Sequence, residues 1–213
     1  MRSCHSHVCI RLSRYDKRAT AVSAEIQQMR DVFGLRYVSF SLFGKDKDYL
    51  EGAIRNCATA NDFYPGWTPI FYVAADIEKK VTRELEKHGG RVIASDQTVS
   101  RNPRAWRFAA ALLDDAEHVI FRDTDSRMSR RESDAVMQWL DSGKTLHIMR
   151  DHPHHGHPIM AGMWGINVGE KPRRLISKVL QEAIGEEKPE DQQLLGGMLR
   201  SFRTVVSVDF LCR

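Results

Sequence analysis

Nothing in this chain repeats, and little in it is extreme. Its four cysteines, Cys4, Cys9, Cys57 and Cys212, show no CxxC spacing, which argues against a zinc knuckle and a disulfide framework and leaves them as free thiols. No stretch is apolar over the roughly 20 residues that a membrane-crossing helix needs, so no transmembrane segment is expected. Charge of one sign is lacking too. Lys and Arg number 32 against 28 acids, the net charge is +4, and the basic residues are dispersed among the acidic ones, so no nucleic-acid partner is indicated. The basic opening, MRSCHSHVCIRLSRYDKR, has neither a continuous apolar region nor a small-residue cleavage site, so it does not read as a secretory signal and a cytoplasmic location is expected. Low-complexity tracts and long linkers are absent as well.

What remains is the composition of a globular protein, 42% hydrophobic and 28% charged, in 213 residues, enough for one domain with a full core. Val22, Ile26, Met29 and Phe33 recur at three- and four-residue intervals before Gly34, so residues 1–35 read as an N-terminal helical extension, leaving 36–213 as the domain. Tyr37 to Gly44 alternates Val38, Phe40 and Leu42 with serines, the pattern of a first core strand.

Strands and helices then alternate. Helices are predicted over 50–60, 77–88 (closed by Gly89 and Gly90) and 103–113, where Pro103 suits a first turn, and strands over 69–74 and 91–94. Ser129 to Glu132 is a capping-box pattern opening a helix with Val136, Trp139 and Leu140 that Gly143 stops. Strands follow over 145–149, 163–168 and 204–211, and helices over 175–184 and 192–199. Such alternation predicts an α/β fold: a Rossmann-like, mostly parallel central sheet with helices on both faces, binding ligands at the carboxyl ends of its strands.

At one such end lies HVIFRDTDSR, residues 118–127, where a buried apolar strand runs into Asp123 and Asp125. Residues at i and i+2 of an extended chain project to one side, so both carboxylates can converge on a hard divalent cation, able to grip a diphosphate. Asp-x-Asp also occurs in ordinary solvated turns, and context has to distinguish the two. A second polar cluster, Arg150, Asp151, His152, His154, His155 and His157, follows the strand at 145–149. Its two prolines deny the histidines a regular metal-ligand spacing, so it reads as a substrate-lining loop, with His152 best placed. In Gly162-Met163-Trp164-Gly165 the glycines allow close backbone approach; Trp164 is either an apolar face for a sugar or a core residue. Glu190-Asp191 begins a helix, where acids serve as caps.

Taken together, RDTDSR, the following Arg131-Glu132, MRDH at 149–152 and MAGMWG at 160–165 resemble the GT-A-fold glycosyltransferases, especially small viral and bacterial members, chlorella-virus ones among them, over about residues 36–200. The resemblance implies a Mn²⁺- or Mg²⁺-dependent transferase that moves a hexosyl or deoxyhexosyl group, with inversion, from a nucleotide-diphosphate sugar (UDP by default) to a glycan or lipid-linked acceptor, as in polysaccharide biosynthesis. It assigns Asp123 and Asp125 to the metal, Asp125 being the direct ligand, with Thr124 between them beside the nucleotide. Ser41, Phe43, Gly44 and Arg107 fall to the nucleotide, Trp106 to the donor side or the core, and His152, Gly162, Trp164 and Glu190 to the sugar and acceptor. Asp191 would be the catalytic base, with Asp151 as its alternate.

No histidine follows His157, whereas many members supply a further metal ligand near the C-terminus. Diphosphate and water, His152, or a segment of a longer protein would take its place. Two rivals stand beside this reading: a non-catalytic nucleotide-sugar or glycan-binding module of the same fold, and a HAD-type phosphohydrolase, whose Asp-x-Asp normally opens the domain.

Overall fold

The structure, a computed structural model, describes residues 35–150, 155–182, 195–196 and 205–209. The expected N-terminal extension and most of the expected 192–199 helix lie outside the described residues. Among the described residues seven strands form one sheet: β1 (Leu35–Leu42), β2 (Thr68–Ala74), β3 (Arg91–Ser95), β4 (Ala116–Arg122), β5 (Leu146–Arg150), β6 (Met163–Asn167) and β7 (Val205–Asp209), in the order β3-β2-β1-β4-β6-β5-β7. All pairings are parallel except those of β6, which runs against both β4 and β5. The fold class is the one expected.

The connecting helices are α1 (Lys47–Phe63), α2 (Lys79–Lys87), α3 (Arg130–Ser142) and α4 (Glu170–Glu182), with a 3₁₀ segment at Pro103–Leu112. Side chains of α1, α2 and α3 pack with Val38, Phe40, Phe71 and Ile120 on one face of the sheet. The 3₁₀ segment and α4 pack with Tyr37, Ile70, Phe121 and Trp164 on the other. Each face thus buries its own apolar layer.

The local signals behave as their chemistry dictates. Ser129 and Glu132 form the capping box, and Gly143, at φ 61°, ends α3 in the left-handed conformation that costs glycine nothing. Two expectations need correction. The helix predicted from Leu175 begins at Glu170, because Pro172, buried in its first turn, is tolerated there. The 103–112 segment is 3₁₀ rather than α: Ala105, Phe108 and Ala111, all fully buried, repeat every three residues, the spacing at which side chains of a 3₁₀ helix line up.

Chain order determines where a ligand can enter. From β1 the chain steps outward through β2 to β3, then returns by the 3₁₀ segment to place β4 on the other side of β1. Between β1 and β4 the connections diverge to opposite sides, which opens a crevice at their carboxyl ends.

Candidate functional site

A cleft of about 370 Å³ occupies that crevice, lined by Ser41, Phe43, Gly44, Lys45, Asp46 and Tyr49 after β1, Arg104 and Arg107 of the 3₁₀ segment, and Asp123 to Ser126 after β4. That volume is within the usual range for a small-molecule site, about 300–1,000 Å³. Five expected site residues from three separated segments, Ser41, Phe43, Gly44, Arg107 and Thr124, therefore meet both expected metal carboxylates in one place.

The cleft wall is stitched from below. Ser39 Oγ donates to the Arg107 carbonyl at 2.7 Å, and Ser41 Oγ accepts from the Arg107 backbone N–H at 2.9 Å while donating to the Arg104 carbonyl at 3.3 Å. The Ser41 hydroxyl thus already holds the 3₁₀ segment against β1. Phe43 packs edge-on to Trp106 with centroids 6.3 Å apart, and the Trp106 indole N–H donates to Ser100 O at 2.7 Å. Trp106, 5% exposed, is the core residue of its two alternatives.

Asp123 and Asp125 meet different surroundings. Arg107, only 4% exposed, pairs through Nη1 with Asp123 Oδ1 and donates to the Arg122 carbonyl at 3.1 Å. Burial works against ionisation of Asp123, yet the Arg107 charge and hydrogen bond, with Arg122 and Arg104 nearby, hold its carboxyl below the usual range. Its other oxygen lies against Gly162, where any Cβ would collide with the carboxylate. Asp125 is exposed and forms no hydrogen bond or ion pair among the described residues.

The loop between them is clamped by α1. Asn56 Nδ2 donates to the carbonyls of Thr124, at 3.2 Å, and Ser126, at 2.9 Å, and Arg127 Nη1 adds a bond to Thr124 O at 3.0 Å. One turn earlier Gly52 lets α1 come so close that a Cβ there would strike the Thr124 carbonyl. Behind the strand end, Arg122 donates from Nη2 to Glu132 at 2.7 Å and from Nη1 to Gly162 O at 2.9 Å, tying β4 to the start of α3 and to the Gly162 turn. Sequence reading passed over Gly52, Asn56, Lys45, Tyr49 and Arg104. Lys45 had a visible signal, directly after the strand-ending Gly44; Asn56, in mid-helix, had none.

Other expected residues fare differently. Trp164 is 1% exposed and packs against Phe121 at 4.2 Å and Phe108 at 5.5 Å, because β6 registers Trp164 opposite Phe121. Its ring is core and does not present a face to a sugar. Asp151, His152, His154, Glu190 and Asp191 lie outside the described residues; His155 is half-buried and His157 exposed.

A divalent cation was expected, and the donor set can be tested for it. Among the described residues no group of three or more His, Cys, Asp or Glu side chains converges to hold a metal. Asp125 nonetheless offers an uncommitted carboxylate on the cleft, and Mg²⁺-type ions retain waters and bind through one or two carboxylates with substrate phosphates. The residues fit a cation shared with a phosphate ligand and not a protein-built cage.

No protein-family model matches this chain, and no curated protein matches it. Solved structures do. The 4-diphosphocytidyl-2C-methyl-D-erythritol synthase of Anaerococcus prevotii aligns at 14% identity over 85% of this chain and 89% of its own, with a TM-score of 0.54. Glucosyl-3-phosphoglycerate synthase of Mycobacterium tuberculosis, bound to phosphoglyceric acid, aligns at 11% identity over 85% and 71%, with a TM-score of 0.57. The same enzyme bound to Mn²⁺, UDP and glucosyl-3-phosphoglycerate aligns at 10% over 85% and 71%, with a TM-score of 0.55. At such identities the likeness is one of fold: this chain has the Rossmann-like α/β fold of nucleotide-sugar and nucleotidyl transferases. Nothing in these comparisons bears on the chlorella-virus likeness.

Proposed function

We propose that the protein is a nucleotide-diphosphate-sugar-dependent glycosyltransferase that uses Mn²⁺ or Mg²⁺, with a UDP-sugar as donor and a glycan or lipid-linked hydroxyl as acceptor. The observation that carries this reading is the convergence, at the β1/β4 crevice, of an Asp-Thr-Asp turn with cationic Lys45 and Arg104 and the aromatic Phe43 and Tyr49. That set matches the parts of a nucleotide diphosphate: aromatic faces for a base, cations and a metal carboxylate for two phosphates. The Mn²⁺–UDP complex of the mycobacterial enzyme of like fold supports the same choice of ligand.

In this reading Asp125 holds the cation, which when bound would offset negative charge growing on the departing diphosphate. Arg107 orients Asp123 and keeps it ionised, and Gly162 leaves room for that carboxylate against the β6 turn. Thr124 serves through its backbone, Phe43 and Gly44 border the nucleotide, and His152 and Glu190 remain candidates for sugar and acceptor. Asp191, with Asp151 as alternate, would take the acceptor proton in an inverting displacement, a role typically worth about 10²- to 10⁴-fold.

The experiment is a thermal-shift panel of nucleotide sugars with and without Mn²⁺. A donor should raise the Tm only in the presence of the cation, by about 2.7 kcal/mol of stabilisation at one hundred times its Kd, and Asp125→Ala should abolish the effect. No Mn²⁺-dependent shift with any donor would overturn the reading. The non-catalytic module draws on the pairing of Asp123 with Arg107, and donor hydrolysis or transfer by the native chain would exclude it. The phosphohydrolase reading loses ground because the first aspartate of the motif, its nucleophile, is ion-paired at the end of the fourth strand.

A further inference from the structure

Behind the Asp-Thr-Asp turn, on the sheet face covered by α1 and α3, lies a second cavity of about 10 Å³, lined by Tyr64, Ile120, Arg122, Glu132, Val136 and His147 among others. It is separate from the cleft and far too small for an organic ligand. Four of its lining side chains, Tyr64, Arg122, Glu132 and His147, are nonetheless polar and each at least nine-tenths buried.

The Arg122 and Glu132 side chains are largely paired. Arg122 uses Nη2 on Glu132 Oε1 and Nη1 on Gly162 O, and Glu132 Oε2 accepts from the Ser129 backbone N–H. Arg122 Nε and His147 Nδ1, however, are buried with no hydrogen-bond partner among the described residues. Trp164, which also lines the cavity, has its Nε1 without one as well, and its ring packs on Phe108 and Phe121 on the other face of the sheet. His147, by contrast, stands opposite Gly165, which pairs with Ile120, so it shares the α3 face with Ile120 and stacks on Trp139 at 5.5 Å.

We propose that one ordered water molecule occupies this cavity, accepting a hydrogen bond from Arg122 Nε–H and donating one to His147 Nδ1. The volume admits one water, and buried waters characteristically satisfy two to four polar groups that the fold leaves unpaired. With the proton of the neutral ring on Nε2, Nδ1 accepts, and a water, which both accepts and donates, satisfies both atoms, whereas a halide could only accept. Burial, with Arg122 nearby, holds the His147 pKa down at about 4, so the ring is neutral at pH 7 and one of its nitrogens is an acceptor. The water completes the hydrogen bonding of Arg122, the residue immediately before Asp123, and links β4 to β5 beneath the site. Its existence does not depend on the transferase reading.

A crystal structure of the full chain at high resolution tests it. One compact density peak about 2.7–3.2 Å from both Arg122 Nε and His147 Nδ1 is expected. Absence of the peak, a protein atom bonded directly to Arg122 Nε, or an anomalous peak at that point in crystals grown with bromide would overturn the proposal. In solution, the Arg122 Nε–H resonance should show a direct cross-relaxation peak to long-lived water, and its absence would overturn it equally. In His147→Leu that cross-peak should be lost; undiminished intensity would remove His147 as the acceptor, and if the variant does not fold the two wild-type measurements still decide.

Discussion

Asp123 and Asp125 are one residue apart, but only Asp123 has a buried guanidinium for a neighbour. Asp125→Ala should therefore leave the Tm nearly unchanged while abolishing Mn²⁺-dependent nucleotide binding. Asp123→Asn should do the reverse first, costing about 1–3 kcal/mol because it removes the ionic partner of a buried Arg107. The lower part of that range applies, since the Asp123 side chain is 44% exposed and water screens the pair. Denaturant melts of both variants, with and without Mn²⁺, separate the two roles.

Titration provides another residue-scale prediction. His147 titrates at about 4 in the folded state because of burial first and the Arg122 charge second, against about 6.5 when unfolded. Between those values the unfolded chain binds the extra proton, so stability must fall as pH drops from about 6.5 to 4, by on the order of 3 kcal/mol. His118, also pushed down by burial, adds in the same direction. Asp123 acts at lower pH: its depressed pKa contributes stability that is present above the unfolded carboxylate value and lost as pH falls through the folded one. Unfolding of His147→Phe across this range should show a shallower acid slope; an unchanged slope would assign it elsewhere.

At the scale of elements, α1 both contributes Tyr49 to the cleft and holds the Asp-Thr-Asp turn in place. Gly52 and Asn56 are one helical turn apart on its buried side, and both meet the Asp-Thr-Asp loop through backbone carbonyls. Gly52→Ala forces a methyl against a carbonyl that cannot swing aside, so it should cost about 1–3 kcal/mol as overpacking does, despite alanine's better helix propensity. It should also weaken nucleotide binding. Asn56→Ala should lower stability through two lost bonds and raise the donor KM more than it lowers kcat. By comparison Ser129→Ala, at the far end of the same loop, should cost about 1 kcal/mol of capping energy with little change in KM.

For the molecule as a whole, much of the architecture was legible because its causes are local. Alternating apolar residues in 37–44, the capping box at Ser129 and Glu132, and Gly143 each act within a few residues, and each element formed close to where its pattern lay. The Asp-Thr-Asp turn after an apolar strand, and Ser41 to Gly44 after the first, are likewise local: strand ends followed by polar or glycine residues. Helix type over 103–112 was less legible, since apolar spacing of three suits either helix until the packing of Ala105, Phe108 and Ala111 selects one.

Pairing between distant strands obeys no local rule, and there the sequence pattern stops. That β4 lies beside β1, and so opens a crevice at the two strand ends, follows from which edge the chain returned to after β3. That β6 runs antiparallel between β4 and β5 turned Trp164 inward against Phe121 and brought Gly162 onto the Asp123 carboxylate. Glycine and tryptophan in one short motif looked alike as candidates for ligand contact; register set Gly162 against the Asp123 carboxylate and Trp164 in the core. Periodicity and capping, which depend on neighbours in the chain, were settled by composition and spacing, whereas the partners of Arg107, Asn56 and Trp164 are neighbours only in space.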